Sequence, residues 1–256
     1  MTGRVVLLGH EIGYSASPAI NNAAFAALGL PVRYALRDLT ADELPGVIDE
    51  LRRDAFLGAN VTKPFKLAAA ELVDGRSQEV ERLGAANTLV RADGRLTAYN
   101  TDLPALRGEL AELVEPGGQA LVLGAGGASR AVIAALADLG WRDVRVVDRA
   151  RWATIREQLV GARLLVNATP IGTASDETPI PTAWLRRDLA VLDLVYRPSP
   201  TGLVRAARAL GAPARGGAGM LLRQAAASVE LWTLREAPLD AMRAALIAEL
   251  GEEANV

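Results

Sequence analysis

The stretch that most restricts what this chain can fold into runs from Gln119 to Asp148, QALVLGAGGASRAVIAALADLGWRDVRVVD. A short apolar run breaks on a glycine-rich turn, a helix-period segment follows at once, and a second apolar run closes on a carboxylate. The period changes from 2 to 3.6 and back, which is the pattern of a βαβ unit with parallel strands. A parallel pair needs a crossover helix over its face, so this stretch alone sets the class as α/β.

The same alternation runs through the rest of the chain. Strands are expected at residues 4–9, 32–36, 57–61, 164–168 and 190–194, and helices over 40–53, after Pro64, over 103–114, 219–235 and 239–250. Ser17-Pro18 reads as an N-cap followed by proline at the first helical position, with Gly29 as the stop of that helix. ANTLVRADGRLTAY reads as two strands joined by the Asp93-Gly94 turn. Pro116-Gly117-Gly118 marks the start of a second domain. With 256 residues, half of them hydrophobic, the chain can bury two cores. The expected architecture is two α/β domains with mostly parallel sheets.

The glycine-rich turn carries the first chemistry. Glycines at 124, 126 and 127, with Ala125 and Ala128 between and after them, let the backbone approach a pyrophosphate at a helix N-terminus. Ser129 stands where the fingerprint has its third glycine, and Asp148 ends the next strand 24 positions after Gly124, near the offset of a ribose-binding acid. A plain tight turn between strand and helix is the alternative. An acid there leans toward NAD, while Arg149 beside it suits the 2′-phosphate of NADP.

Composition removes several other chemistries. The chain has no Cys and a single His, His10, so disulfides, thiolate nucleophiles, His-based zinc sites and Ser-His triads fall away, and no metal is expected. His10 and the tryptophans Trp184 and Trp232 read as structural. A formal charge of −2, dispersed Arg and few aromatics do not fit a nucleic-acid binder. No apolar run is long enough to cross a membrane, and the N-terminal run is too short for a signal peptide, so a cytoplasmic protein is expected. Of the 28 basic residues only Lys63 and Lys66 are lysines. An amine can release its proton where a guanidinium cannot.

Polar clusters stand along the first domain, several of them where strands are expected to end: Ser15-Ala-Ser17, Asn60-Val-Thr62 with Lys63 and Lys66, Asn87-Thr88, and Asn100-Thr101-Asp102. Two hydroxyls beside a helix start suit a carboxylate; Lys, Asp, Asn and Thr suit ring hydroxyls. Capping and turn chemistry alone would also explain Ser17 and Asn-Thr-Asp.

The segments GHEIGYSASPAINNAAF, GANVTKPFK, GAANTL, YNTD, GAGGASR, NATPIGT, DLVY and GMLLRQAAASVELW stand in the order in which shikimate dehydrogenases carry their motifs. The chain thus resembles the shikimate/quinate dehydrogenase family over nearly its whole length. The resemblance implies a substrate domain at 1–103 completed by 219–256 and a Rossmann-like domain at 104–218. It implies an enzyme of aromatic amino-acid biosynthesis, monomeric or homodimeric, that exchanges hydride between a cyclic hydroxy or keto acid and NAD or NADP.

Carried over residue by residue, Lys66 and Asp102 become the catalytic pair. Ser15 and Ser17 bind the substrate carboxylate, and Thr62, Asn87, Tyr196 and Gln224 bind the rest of the substrate. Gly124, Ala125, Gly126, Gly127, Ala128, Asp148, Arg149, Leu194 and Gly217 bind the cofactor. An alcohol that loses hydride must also lose its hydroxyl proton, which Lys66 can accept and return. Glu11, Tyr14, Leu103, Gly202 and the run Asp148-Arg149-Ala150 depart from the family pattern. Quinate or an aminoshikimate therefore stay open as substrates, as does a non-catalytic nicotinamide sensor.

Overall fold

A computed structural model describes residues 3–251. It divides into two compact units, one holding the residues up to Thr101 with Leu222–Glu249, the other holding Asp102–Leu221. Among the described residues no helix is long and apolar enough to cross a membrane, and no group of His, Cys, Asp or Glu could hold a metal ion.

The first unit is laid down as β1 (Gly3–Gly9), α1 (Ser17–Ala27), β2 (Val32–Asp38), α2 (Leu44–Glu50), β3 (Phe56–Val61), α3 (Lys66–Glu71), β4 (Gly75–Arg76), α4 (Gln78–Leu83), β5 (Thr88–Ala92) and β6 (Arg95–Tyr99). Its six-stranded sheet has the order β2-β1-β3-β5-β6-β4. β1 lies parallel to β2 and β3, while β3-β5 and β5-β6 are antiparallel. The 93–94 turn is the hairpin the sequence predicts, with Asp93 and Gly94 both at positive φ.

Successive residues of β1 feed opposite faces, as the period of a strand requires. Val6 and Leu8 pack with Leu44, Val47 and Ile48 of α2 and with Ala69 and Ala70 of α3. Val5 and Leu7 pack with Phe25 of α1 and with Trp232. The indole N–H of Trp232 donates to the Leu89 carbonyl at 2.9 Å. Gly58, at φ +155°, makes room for it, because a Cβ there would lie 2.7 Å from the indole nitrogen.

The second unit runs α5 (Asp102–Leu113), β7 (Gln119–Leu123), α6 (Gly127–Asp138), β8 (Asp143–Val147), α7 (Ile155–Leu159), β9 (Ala162–Asn167), β10 (Ala190–Asp193), α8 (Gly202–Ala209) and β11 (Ala214–Arg215). Its five strands are all parallel, in the order β11-β10-β9-β7-β8. Leu121, Leu123, Leu165 and Val191 of the strands pack with Ile155, Leu159, Leu203 and Ala207 of the helices. Two helices close the chain, α9 (Gly217–Thr233) and α10 (Leu239–Leu250).

Several expectations are corrected. The helix placed at 40–53 covers only Leu44–Glu50. Thr40 gives its N–H and hydroxyl to the Glu43 carboxylate at 2.8 and 2.9 Å, a turn that ends where Pro45 opens the helix. Ser17 is not an N-cap: α1 starts on it, Ala16 occupies the cap, and the Ser15 hydroxyl accepts from the Ser17 N–H at 3.3 Å. In α9, Met220, Gln224, Ala227 and Leu231 are half-buried, and the buried hydrophobic positions are Ala218, Leu222, Ala225, Ala226, Val229 and Trp232.

Candidate active site

The topology of the first sheet collects the polar clusters. β1 and β3 are parallel neighbours, so residues that follow Gly9 and Val61 emerge at the same edge. β5 runs antiparallel to β3, which brings its beginning, at Asn87-Thr88, to that edge. β6 returns antiparallel to β5 and delivers Asn100, Thr101 and Asp102 there as well. Four segments distant in sequence thus converge at one edge of the sheet.

Short hydrogen bonds fix this edge. The Thr62 N–H donates to the Leu8 carbonyl at 2.8 Å and the Phe65 N–H to the Thr62 carbonyl at 2.9 Å, which turns the chain into α3 with Lys66 as its first residue. The Ala86 N–H donates to the Lys66 carbonyl at 2.8 Å, so the start of α3 is tied beside Asn87. The Asn87 amide donates to the Thr101 hydroxyl at 2.9 Å and its oxygen accepts from the Thr101 N–H at 2.8 Å. Asp102 follows in the chain, buried at the first position of α5. Lys66 and Thr62 are half-buried, and Lys63 is exposed with its ammonium 5.9 Å from the Tyr14 ring. Ser17 is buried and Ser15 half-buried. His10 is exposed and its Nδ1 meets the Leu39 carbonyl at 3.1 Å.

Behind this edge lies a buried network that the sequence shows only in part. The Asn60 amide donates to the Asn87 carbonyl, to Thr88 and to Ser228, at 3.0, 3.0 and 3.1 Å, and its oxygen accepts from the Tyr34 hydroxyl at 2.8 Å. Ser228 in turn reaches the Gln224 carbonyl one helical turn earlier, at 2.9 Å. Tyr34 and Ser228 are missed by sequence reasoning. A serine inside an otherwise apolar helical face was the signal available. Asn21, fully buried in α1, holds the Ser17 carbonyl through its amide at 2.9 Å, while its own oxygen has no hydrogen-bond partner.

In the second unit the C-terminal edge of the sheet carries the other set. β7 is flanked by β8 on one side and β9 on the other, so the turn after Leu123 lies at the point where strand order reverses. Gly124 adopts φ +106°, and a Cβ on it would meet the Ala168 carbonyl oxygen at 3.0 Å. Gly126 caps α6 and Gly127 begins it, and a Cβ at either would meet nothing within 4 Å, which leaves an open cradle above a helix N-terminus. Beneath it the Ser129 hydroxyl is buried without a hydrogen-bond partner. The cradle and the orphaned hydroxyl fit a pyrophosphate. Leu194 and Gly217 are brought together: a Cβ on Gly217 would stand 2.3 Å from the Leu194 carbonyl oxygen.

At the end of β8 the Asp148 carboxylate accepts from the Arg151 N–H at 3.0 Å and pairs with its guanidinium at 3.6 Å. The hydrogen bond from the Arg151 backbone, first among the causes, lowers its pKa. Arg149 and Arg151 are both exposed. The acid is engaged by its own turn, and the Arg149 and Arg151 guanidiniums stand at the surface beside it. Arg151 is a residue sequence reasoning overlooked. Tyr196 is half-buried in the segment after β10. Gly202, where the family has proline, lies so close to Asp176 that a Cβ would fall 2.8 Å from its carbonyl oxygen.

A parallel sheet with a glycine turn at its reversal point, together with a polar edge on a second α/β sheet, defines a protein of the dinucleotide-binding, two-domain oxidoreductase class. Residues 7–89 match the model of the shikimate dehydrogenase substrate binding domain, and residues 217–247 that of the shikimate 5′-dehydrogenase C-terminal domain. The shikimate dehydrogenase (NADP(+)) of Methanopyrus kandleri is 38% identical over 97% of this chain and 96% of its own, and that of Thermus thermophilus is 42% identical over 90% and 92%. The Thermus thermophilus enzyme solved in complex with NADP(H) and shikimate superposes with a TM-score of 0.87 at 38% identity, covering 97% of this chain and 100% of that one. A Listeria monocytogenes shikimate 5-dehydrogenase in complex with shikimate and NAD superposes at 0.82 and 29% identity, covering 96% of each chain. The chain belongs to the shikimate dehydrogenase family. The curated relatives are named for NADP+, against the lean toward NAD drawn from Asp148.

Proposed function

We propose that this chain interconverts shikimate and 3-dehydroshikimate with NADP as the hydride carrier. The unit ending at Thr101 serves the substrate and Asp102–Leu221 serves the cofactor. The observation that carries the reading is the convergence of Ser15, Ser17, Thr62, Lys66, Asn87 and Thr101 at one edge of the first sheet, in a chain of this family.

The bound nicotinamide supplies or receives the hydride. The chain's own residues do the rest. The hydroxyls of Ser15 and Ser17 receive the ring carboxylate through charge-assisted hydrogen bonds. Thr62, Asn87, Tyr196 and Gln224 hold the ring hydroxyls. As the carbinol carbon gives up hydride, the Lys66 amine takes the hydroxyl proton, and in the reverse direction the ammonium returns it. Asp102 orients that amine. Gly124, Ala125, Gly126, Gly127 and Ala128 receive the pyrophosphate, Arg149 and Arg151 the 2′-phosphate, and Leu194 and Gly217 line the cofactor. Asp148 shapes the turn that carries the arginines.

Turnover of shikimate, quinate and an aminoshikimate with NADP+ and NAD+, followed by the absorbance of the reduced nicotinamide, tests the reading. Shikimate with NADP+ should give the highest kcat/KM. Quinate turned over at an equal or higher kcat/KM would reassign the substrate. No turnover of any ring acid would leave a binding protein.

A further inference from the structure

Asp193, the last residue of β10, is 1% exposed and has no part in this mechanism. Three donors converge on its carboxylate. The Asn167 amide and the Val195 N–H donate to one oxygen at 2.9 and 3.1 Å, and the Thr201 hydroxyl donates to the other at 2.7 Å. Val195 and Thr201 are the two ends of the segment that leads from β10 into α8, where Thr201 also caps the helix by accepting from the Val204 N–H. One carboxylate therefore closes that segment like a clasp.

The clasp reaches further through neutral groups. Asn167, at the end of β9, uses its amide on the Ile171 carbonyl at 3.1 Å and its oxygen on the Thr169 N–H and hydroxyl at 3.1 and 2.6 Å, which shapes the turn after β9. The Val195 carbonyl accepts from the Gly217 N–H at 3.1 Å, and Gly217 lies on the Leu194 backbone. The turns after β9 and β10 and the start of α9 are thus referred to a single side chain. Burial raises the Asp193 pKa from 3.8 to about 6, against the effect of its three donors. An ionised carboxylate kept at such a place lowers stability relative to a neutral group of the same shape.

From this geometry we propose that Asp193 is a positioning residue for the dinucleotide: it holds the Leu194 and Gly217 backbones, and the Tyr196 segment between the clasp points, in the shape that receives the cofactor. This rests on the assignment of the second unit to the cofactor. Asp193→Asn keeps the shape and two acceptor contacts, and Thr201→Val removes the hydroxyl from the other side, while Thr201→Ser retains it.

Calorimetric titration with NADP+, steady-state kinetics and thermal unfolding of the free protein test the proposal. Asp193→Asn and Thr201→Val should each raise the NADP+ Kd and KM about tenfold, the scale of one lost charge-assisted hydrogen bond, with kcat within about threefold. Thr201→Ser should stay within about twofold of wild type, and Asp193→Asn should unfold no earlier than wild type. If Asp193→Asn does not fold, the contrast between Thr201→Val and Thr201→Ser carries the test. Wild-type affinity for NADP+ in both variants, or an affinity loss in Asp193→Asn that comes with a lowered Tm, would overturn the proposal. A wild type that binds NADP+ but turns over no ring acid would instead contradict the function proposed above.

Discussion

At the scale of single residues, the two serines show how a capping signal and a binding signal overlap. Ser17-Pro18 satisfies the rule for a helix start, yet the helix begins on Ser17 itself and Ser15 supplies the acceptor for its N–H. The Ser17 side chain is therefore not needed to cap α1. Ser15→Ala and Ser17→Ala should each raise the shikimate KM by about tenfold or more, since each deletes a bond to a charged group worth about 1.5 to 3 kcal/mol. Steady-state kinetics would refute the carboxylate site if both KM values stayed at wild type. Asp148 shows the opposite overlap: sequence reads it as a ribose acid, and the structure spends it on the turn of Arg151. Arg149→Ala should accordingly raise the KM for NADP+ about tenfold and leave that for NAD+ within about twofold. Equal effects on both cofactors would show that Arg149 does not meet the 2′-phosphate.

At the scale of elements, strong periodicity was legible and weak periodicity was not. The βαβ unit at 119–148, the hairpin at 88–99 and helix α10 are where the sequence reading puts them, because apolar period and turn glycines agree there. The two-residue strands β4 and β11 and the short helices α4 and α7 are too brief to show a period. The buried face of α9 carries small alanines among Leu222, Val229 and Trp232, so it shows no strong apolar stripe in the sequence. The β10 end carries its own prediction. The folded pKa of Asp193, about 6, lies above its ordinary 3.8, so its contribution to stability is full below about pH 4 and is lost as pH rises through 6. The stability of Asp193→Asn relative to wild type should therefore increase between pH 4 and 7, by up to about 3 kcal/mol. Denaturant titrations at those two pH values would count against a raised pKa if that difference stayed constant.

At the scale of the whole molecule, the α/β class and the parallel second sheet follow from the order of strand-like and helix-like runs. The antiparallel β5-β6 pair follows from the Asp93-Gly94 turn. The candidate site is legible as a list of polar clusters, because each sits next to the end or the start of a strand. Their convergence is not legible, since it depends on β5 pairing with β3, a pairing no local pattern records. The same holds for Asn60, Tyr34 and Ser228, which meet from three elements and become a network only in the fold.

Lys66 is proposed to move the proton that accompanies hydride transfer on shikimate. Kinetics of Lys66→Met beside wild type, with shikimate affinity measured separately by calorimetry, test it most directly. The expected result is a loss of about 10² to 10⁴ in kcat with shikimate Kd within about tenfold of wild type. Near-normal turnover in Lys66→Met, with the loss appearing instead in Lys63→Met, would contradict it.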